Sequence, residues 1–374
     1  MKRLLFTGFL FLGIIVFIQT PVVGQPPLPD LVSPEVHPDK TVTFRLRLPD
    51  AEEVKIYTQF TEGEHALTGD TSGVWSVTLG PAEPDIYPYA FIVDGVRIMD
   101  PNNRLYFPNE HFKHSLVEIP ADTPQVHSVQ EVPHGVVSYR YYSSETLDTT
   151  RPLVIYTPPG YEQNPSKKYP VLYLIHGMTD TEETWFKVGR ANFILDNLIA
   201  RGEAEPMIIV MPYANTYSYD GTTADRGEVL QTALFTRDMV RSIIPFVEEN
   251  YRTLPDKEHR AIAGFSLGGR HTLATGLSHP GLFDWVCAYA PAVWPEGFEA
   301  DFENLYADPA LLNELKLLSV SCGKEDGLYK SAQEFTKALE MRSIDYQTFF
   351  PSGGHTWMNC KKFLAESASK LFQE

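Results

Sequence analysis

The chain of 374 residues carries a formal net charge of −17, a pI of about 5.1, 43% hydrophobic and 12% aromatic residues. Such acidity makes nucleic acid and anionic membrane surfaces poor partners, and the length and apolar content suit two domains or one large one. Three cysteines, Cys287, Cys322 and Cys360, are too few and too odd in number for a disulfide framework. Buried free thiols are expected, a single Cys322–Cys360 pair being the alternative.

Met1-Lys2-Arg3 precedes an apolar run from Leu4 to Ile18, and Pro21-Val22-Val23-Gly24 follows. This is the layout of a secretory signal over residues 1–24, so the protein is expected to be exported, periplasmic or secreted, and free of the membrane once the signal is removed. An uncleaved N-terminal anchor is the alternative. After a proline-rich lead-in, Val42, Phe44, Leu46 and Leu48 alternate with polar residues, as a half-buried strand requires. Val54–Tyr57 and Trp75–Leu79 repeat the style. Tyr89–Val93 meets Val96–Met99 across Asp94-Gly95, a hairpin signal because both turn residues take positive φ. Short strands with turns between them predict a β-sandwich over residues 25–119. Residues 120–135, with Pro120, Pro124 and Pro133, read as a linker.

From residue 136 to 374, strands alternate with helices. Expected strands are 136–142, 153–157, 171–175, 207–211, 285–289, 317–320 and 346–350, with a further strand just before Ser266. Expected helices are 191–200, 229–251, 330–341 and 356–372. The pattern predicts an α/β domain with a mostly parallel sheet and helices on both faces. Ligands bind such sheets beyond the carboxyl ends of their strands.

Three polar residues fall there. Ser266 lies in Gly264-Phe265-Ser266-Leu267-Gly268-Gly269, a Gly-x-Ser-x-Gly between strand and helix, where small neighbours permit a turn sharp enough to expose the serine oxygen. Asp326 follows the strand near Val320, and His355 follows the one near Phe350. A serine hydroxyl needs a base, an imidazole supplies it, and a carboxylate fixes the imidazole tautomer. Ser, Asp, His is the chain order of a nucleophile-elbow hydrolase. Glu325 is the alternative acid. Oxyanion donors are expected at the Leu267 amide and, from the loop after the third strand, at the Met178 amide, with Gly177 as the alternative. His176 is expected to order that loop. Trp185, Trp294 and Trp357 fall on the same edge and are candidate substrate-binding faces, with structural packing the competing role. No Cys/His cluster with metal spacing and no phosphate-cradling loop occurs, so neither metal nor cofactor is expected.

Several segments together resemble the feruloyl and acetylxylan esterases of carbohydrate esterase family one, within the esterase-D-like α/β-hydrolases. They are Val132-Pro133-His134-Gly135, Tyr156-Thr157-Pro158-Pro159-Gly160-Tyr161, the run Tyr169 to Gly177, Gly189-Arg190-Ala191-Asn192, Asn250-Tyr251-Arg252, the elbow and Cys322-Gly323-Lys324-Glu325-Asp326. The resemblance implies an α/β-hydrolase fold with Ser266 as nucleophile, Asp326 as acid and His355 as base. It also implies esterified xylan or xylo-oligosaccharide as substrate, with feruloyl groups favoured. Ser33-Pro34-Glu35-Val36 and Tyr89 to Gly95 resemble the early-set immunoglobulin-like domain of glycogen-branching enzymes. Acetylxylan esterase, an enterobactin-type siderophore esterase and a sugar acyltransferase share the chemistry and stand as alternatives. A glycan-binding protein on an inactive hydrolase scaffold is the alternative from another class.

Overall fold

The period-two segments of the N-terminal part form two antiparallel sheets in a computed structural model, which describes residues 31–216, 232–293 and 309–373. In chain order the strands are β1 (Glu35–Val36), β2 (Val42–Arg47), β3 (Val54–Thr58), β4 (Glu64–Ala66), β5 (Thr68–Gly69), β6 (Val74–Leu79), β7 (Ile86–Val93), β8 (Val96–Ile98), β9 (Tyr106–Phe107) and β10 (His114–Glu118). One sheet has the order β1-β2-β6-β5. The other has β4-β3-β7-β10-β9, with β8 paired to β7. The Asp94-Gly95 hairpin forms as the sequence requires, with φ of 46° and 83° at the two residues. Phe44, Leu46, Ile56, Tyr89 and Phe91 fill the core between the sheets.

Residues 120–135 hold no strand or helix. They are nonetheless fixed: the Asn197 side-chain amide donates to the carbonyls of Val126 and Ser128, and His127 is buried.

The rest of the chain builds one eight-stranded sheet among the described residues. Its strands are β11 (Val136–Ser144), β12 (Thr149–Thr157), β13 (Val171–Ile175), β14 (Ile208–Pro212), β15 (Arg260–Phe265), β16 (Trp285–Tyr289), β17 (Leu317–Ser321) and β18 (Gln347–Phe349). The order is β11-β12-β14-β13-β15-β16-β17-β18. The first two strands pair antiparallel, β12 pairs antiparallel with β14, and every later pairing is parallel. Every residue of β13, β15 and β16 is buried. That explains their continuous apolar text, since helices cover both faces of a parallel sheet.

One expected helix is interrupted. The run ending at Asn250 comprises helix Thr232–Asp238, a π-helical turn Met239–Ile243 and helix Ile244–Asn250. Pro245 has no amide hydrogen to continue an α-helical ladder, and the wider turn stands just before it. The last helix, Trp357–Ala368, is shorter than expected. All three cysteines are free and buried. No helix among the described residues is long and apolar enough to cross a membrane. The expected signal sequence and Trp294 lie outside the described residues.

Candidate active site

Parallel pairing of β13, β15, β16, β17 and β18 brings their carboxyl ends to one edge of the sheet. The loops after four of these strands carry the expected residues. Ser266 joins β15 directly to helix Leu267–Ser278, with φ 56° and ψ −114°. Such a conformation costs a non-glycine residue about 1–3 kcal/mol and persists only where its surroundings enforce it. Here the Ser266 amide donates to the Tyr289 carbonyl at 2.9 Å, and its carbonyl accepts from the Arg270 and Ala292 amides.

The flanking glycines are demanded by contact. A Cβ on Gly264 would stand 2.4 Å from the Gly268 carbonyl oxygen, and one on Gly268 would stand 2.4 Å from that of His176. The glycines therefore let strand, elbow helix and the loop after β13 close onto one another.

His355 Nδ1 lies 2.8 Å from Asp326 Oδ2, the Asp326 side chain being 1% exposed and that of His355 37%. The Leu328 amide donates to Asp326 Oδ1 at 2.8 Å, which fixes the carboxylate. Glu325, the alternative acid, instead accepts from the Gly353 amide. The Phe265 ring stacks on the His355 ring with centroids 4.4 Å apart, restricting the imidazole plane. Ser266 and His355 line the same cavity.

The loop after β13 supplies the opposite wall. His176 is buried and its ring spans the loop: Nδ1 donates to the Gly177 carbonyl at 2.8 Å, and Nε2 accepts from the Ala214 amide at 2.9 Å. Burial lowers its pKa to about 4, so the imidazole is neutral and acts as a brace. A Cβ on Gly177 would lie 3.5 Å from the Ser266 Cβ. The Gly177–Met178 segment thus borders the serine. Leu267 is the first residue of its helix, where an amide has no intrahelical acceptor.

The tryptophans separate. Trp357 lines the cavity. Trp185, read as a substrate-binding candidate, stands behind it instead. It is 1% exposed, its indole N–H is spent on the Ile175 carbonyl, and its ring packs against Trp357 at 4.8 Å. A side chain so enclosed has no face to offer a ligand.

Sequence reading missed the contribution of the N-terminal sheets. The cavity, of about 600 Å³, is walled on one side by Met178, Phe265, Ser266, His355 and Trp357, and on the other by Tyr57, Gln59, Arg97, Asn109 and His114. The segment after β9 clasps the loop after β13. Asn109 bridges to Asp180 in antiparallel fashion, and its side-chain amide donates to Asp180 Oδ1 and Thr179 Oγ1, each at 3.0 Å. The Glu110 amide donates to the Thr179 carbonyl, and Thr184 Oγ1 donates to that of Pro108. The signal available beforehand was Asn109 and its neighbours following a strand, with nothing to say which loop they would meet.

Three comparisons bear on this arrangement. The endo-1,4-beta-xylanase/feruloyl esterase of Xylanibacter ruminicola is 29% identical over 351 residues, covering 91% of this chain and 46% of that protein. The chain thus spans less than half the length of this relative. A solved ferulic acid esterase is similar at 28% identity with a TM-score of 0.54, over 64% of this chain and 98% of that one. The enterobactin esterase FES from Shigella flexneri, with enterobactin present, shares the fold at 18% identity and a TM-score of 0.65, over 89% of this chain and 93% of that one. The eight-stranded sheet and its helices are therefore of the α/β-hydrolase type, preceded by a β-rich N-terminal region. The Esterase family model matches residues 144–368, more than half of the chain, and the chain belongs to that family.

Proposed function

We propose that the protein is a serine carbohydrate esterase releasing feruloyl groups from xylan-derived material. The observation that carries this reading is a serine in a strained elbow sharing a cavity with a carboxylate-bound histidine. Ser266 Oγ attacks the ester carbonyl while His355 Nε2 takes its proton, and Asp326 at Nδ1 stabilises the imidazolium. The amides of Leu267 and Met178 receive the oxyanion, a contribution of about 10²–10³ in turnover for each such donor. The sugar alcohol leaves with the proton from His355, giving an acyl-serine. Water, deprotonated by the same histidine, releases the acid and restores the serine.

The names of the xylanase/feruloyl esterase and ferulic acid esterase relatives support the acyl assignment. Export from the apolar N-terminus and an immunoglobulin-like assignment for the N-terminal sheets belong to the same reading.

Siderophore ester cleavage is the second reading. The fold match to the enterobactin esterase favours it, because that match covers 89% of the chain.

Rates on methyl ferulate, acetylated xylan and an enterobactin-type ester discriminate these readings. The feruloyl reading predicts the highest kcat/KM on methyl ferulate. Preference for acetate or for the siderophore ester would replace it. Ser266→Ala is expected to lose on the order of 10⁴–10⁶-fold in turnover of 4-nitrophenyl acetate while remaining folded. Retained activity would remove Ser266 from the chemistry.

A further inference from the structure

His114 opens β10 in the N-terminal sheets, far in sequence from the serine elbow, yet its side chain lines the cavity that holds Ser266 and His355. It is 6% exposed, and neither ring nitrogen has a hydrogen-bond partner within the protein. Two unpartnered polar atoms this deeply buried are costly and rare in folded proteins. The surrounding groups do not repay the cost. Phe112 packs on the ring at 4.6 Å and Tyr57 at 5.6 Å, and Arg97, which also lines the cavity, repels a protonated imidazole. Burial first, and Arg97 second, lower the pKa to about 4, so the ring is neutral near neutral pH, with one donor nitrogen and one acceptor. The same cavity is lined by the aromatic side chains of Phe107, Phe112, Phe265 and Trp357. A flat ring suits such walls, and a hydroxyl on that ring would pair with one of the two imidazole nitrogens.

We infer that His114 is a specificity-determining residue that hydrogen-bonds the ring hydroxyl of a phenolic acyl group whose ester is cleaved at Ser266. The inference rests on the serine-esterase reading above and deepens it. The β-rich N-terminal region becomes part of the substrate site, and the enzyme discriminates hydroxylated from plain aromatic acids. A site built around an unpaired polar group disfavours the analogue lacking the matching hydroxyl.

The test compares kcat/KM on methyl ferulate and on methyl cinnamate, which has no ring hydroxyl, for the full chain and its His114→Phe and His114→Gln variants. The expected result is a ferulate-to-cinnamate ratio about 5–10-fold lower in His114→Phe, with part of it restored in His114→Gln. An unchanged ratio would overturn the inference. So would a loss confined to a sugar-bearing feruloyl ester and absent with methyl ferulate, which would assign His114 to the alcohol side. Thermal melting identifies a variant that fails to fold, and the ratio is then read from the other. Wild-type turnover of 4-nitrophenyl acetate, abolished by Ser266→Ala, reports the serine chemistry separately. Its absence would sink the parent reading, whereas its presence with an unchanged ratio would sink only the role of His114.

Discussion

Asp326 holds the imidazole tautomer that the proposed chemistry needs. Its buried Oδ2 accepts from His355 Nδ1, leaving Nε2 free to take a proton from Ser266. In Asp326→Asn the amide would donate to Nδ1 and drive the proton to Nε2. Turnover is expected to fall by about 10⁴-fold with KM little changed. A loss of only a few-fold, measured on methyl ferulate, would return Glu325 to consideration. Ser266 and Asp326 are legible in the sequence because each follows a buried, largely apolar strand, whereas His355 follows the short and largely exposed β18 and is picked out by its place after Ser266 and Asp326 in the chain. Trp185 shows the limit at this scale. Its place at the sheet edge follows from the sequence, but whether its ring faces the cavity or packs beneath it depends on neighbours such as Trp357 and Tyr289.

The loop after β13 combines several such residues into one rigid element. His176 braces it from within and Asn109 clasps it from the N-terminal sheets. Asp180 is its most strained electrostatic feature. Burial pushes its pKa up to about 8, with Glu110 adding repulsion, against the hydrogen bonds from Asn109 and the backbone. The folded state therefore binds this proton more tightly than the unfolded chain does. The stability it contributes is complete below about pH 3.8 and is lost as pH rises towards 8. Asp180→Asn, which has no such proton to lose, is expected to flatten the decline in the urea midpoint between about pH 5 and pH 8. An identical slope in the variant would contradict the assignment. The Gly177-Met178 element is readable from its place after an apolar run. Its partner Asn109 is not, because long-range loop pairing leaves no period in either segment. The π-helical turn before Pro245 escapes the helical pattern for a related reason: apolar spacing reports a face, and one extra residue in a turn barely disturbs it.

The whole molecule is organised by the seam between the N-terminal sheets and the α/β part, since the proposed active site lies in that seam. The seam is bonded as well as packed. Lys361, with a 2% exposed side chain, pairs with Asp85 across it, and Arg190 pairs with Glu118 at 2.8 Å. Removing one partner of a buried pair leaves an uncompensated charge, so Lys361→Met is expected to cost about 3–5 kcal/mol in urea unfolding. Adding Asp85→Asn should recover part of that loss. No recovery would mean the lysine acts through packing alone. The two-part layout can be read from the change of period near residue 120. The shared cavity cannot, because it depends on how two separately patterned surfaces meet.

Labelling with diethyl 4-nitrophenyl phosphate, followed by peptide mass mapping, tests the central claim most directly. The phosphate ester of an activated serine forms with loss of 4-nitrophenolate, so the account predicts one diethylphosphoryl adduct, on Ser266, appearing in step with loss of methyl ferulate hydrolysis. An adduct on another residue, or full inactivation with Ser266 unmodified, would contradict it.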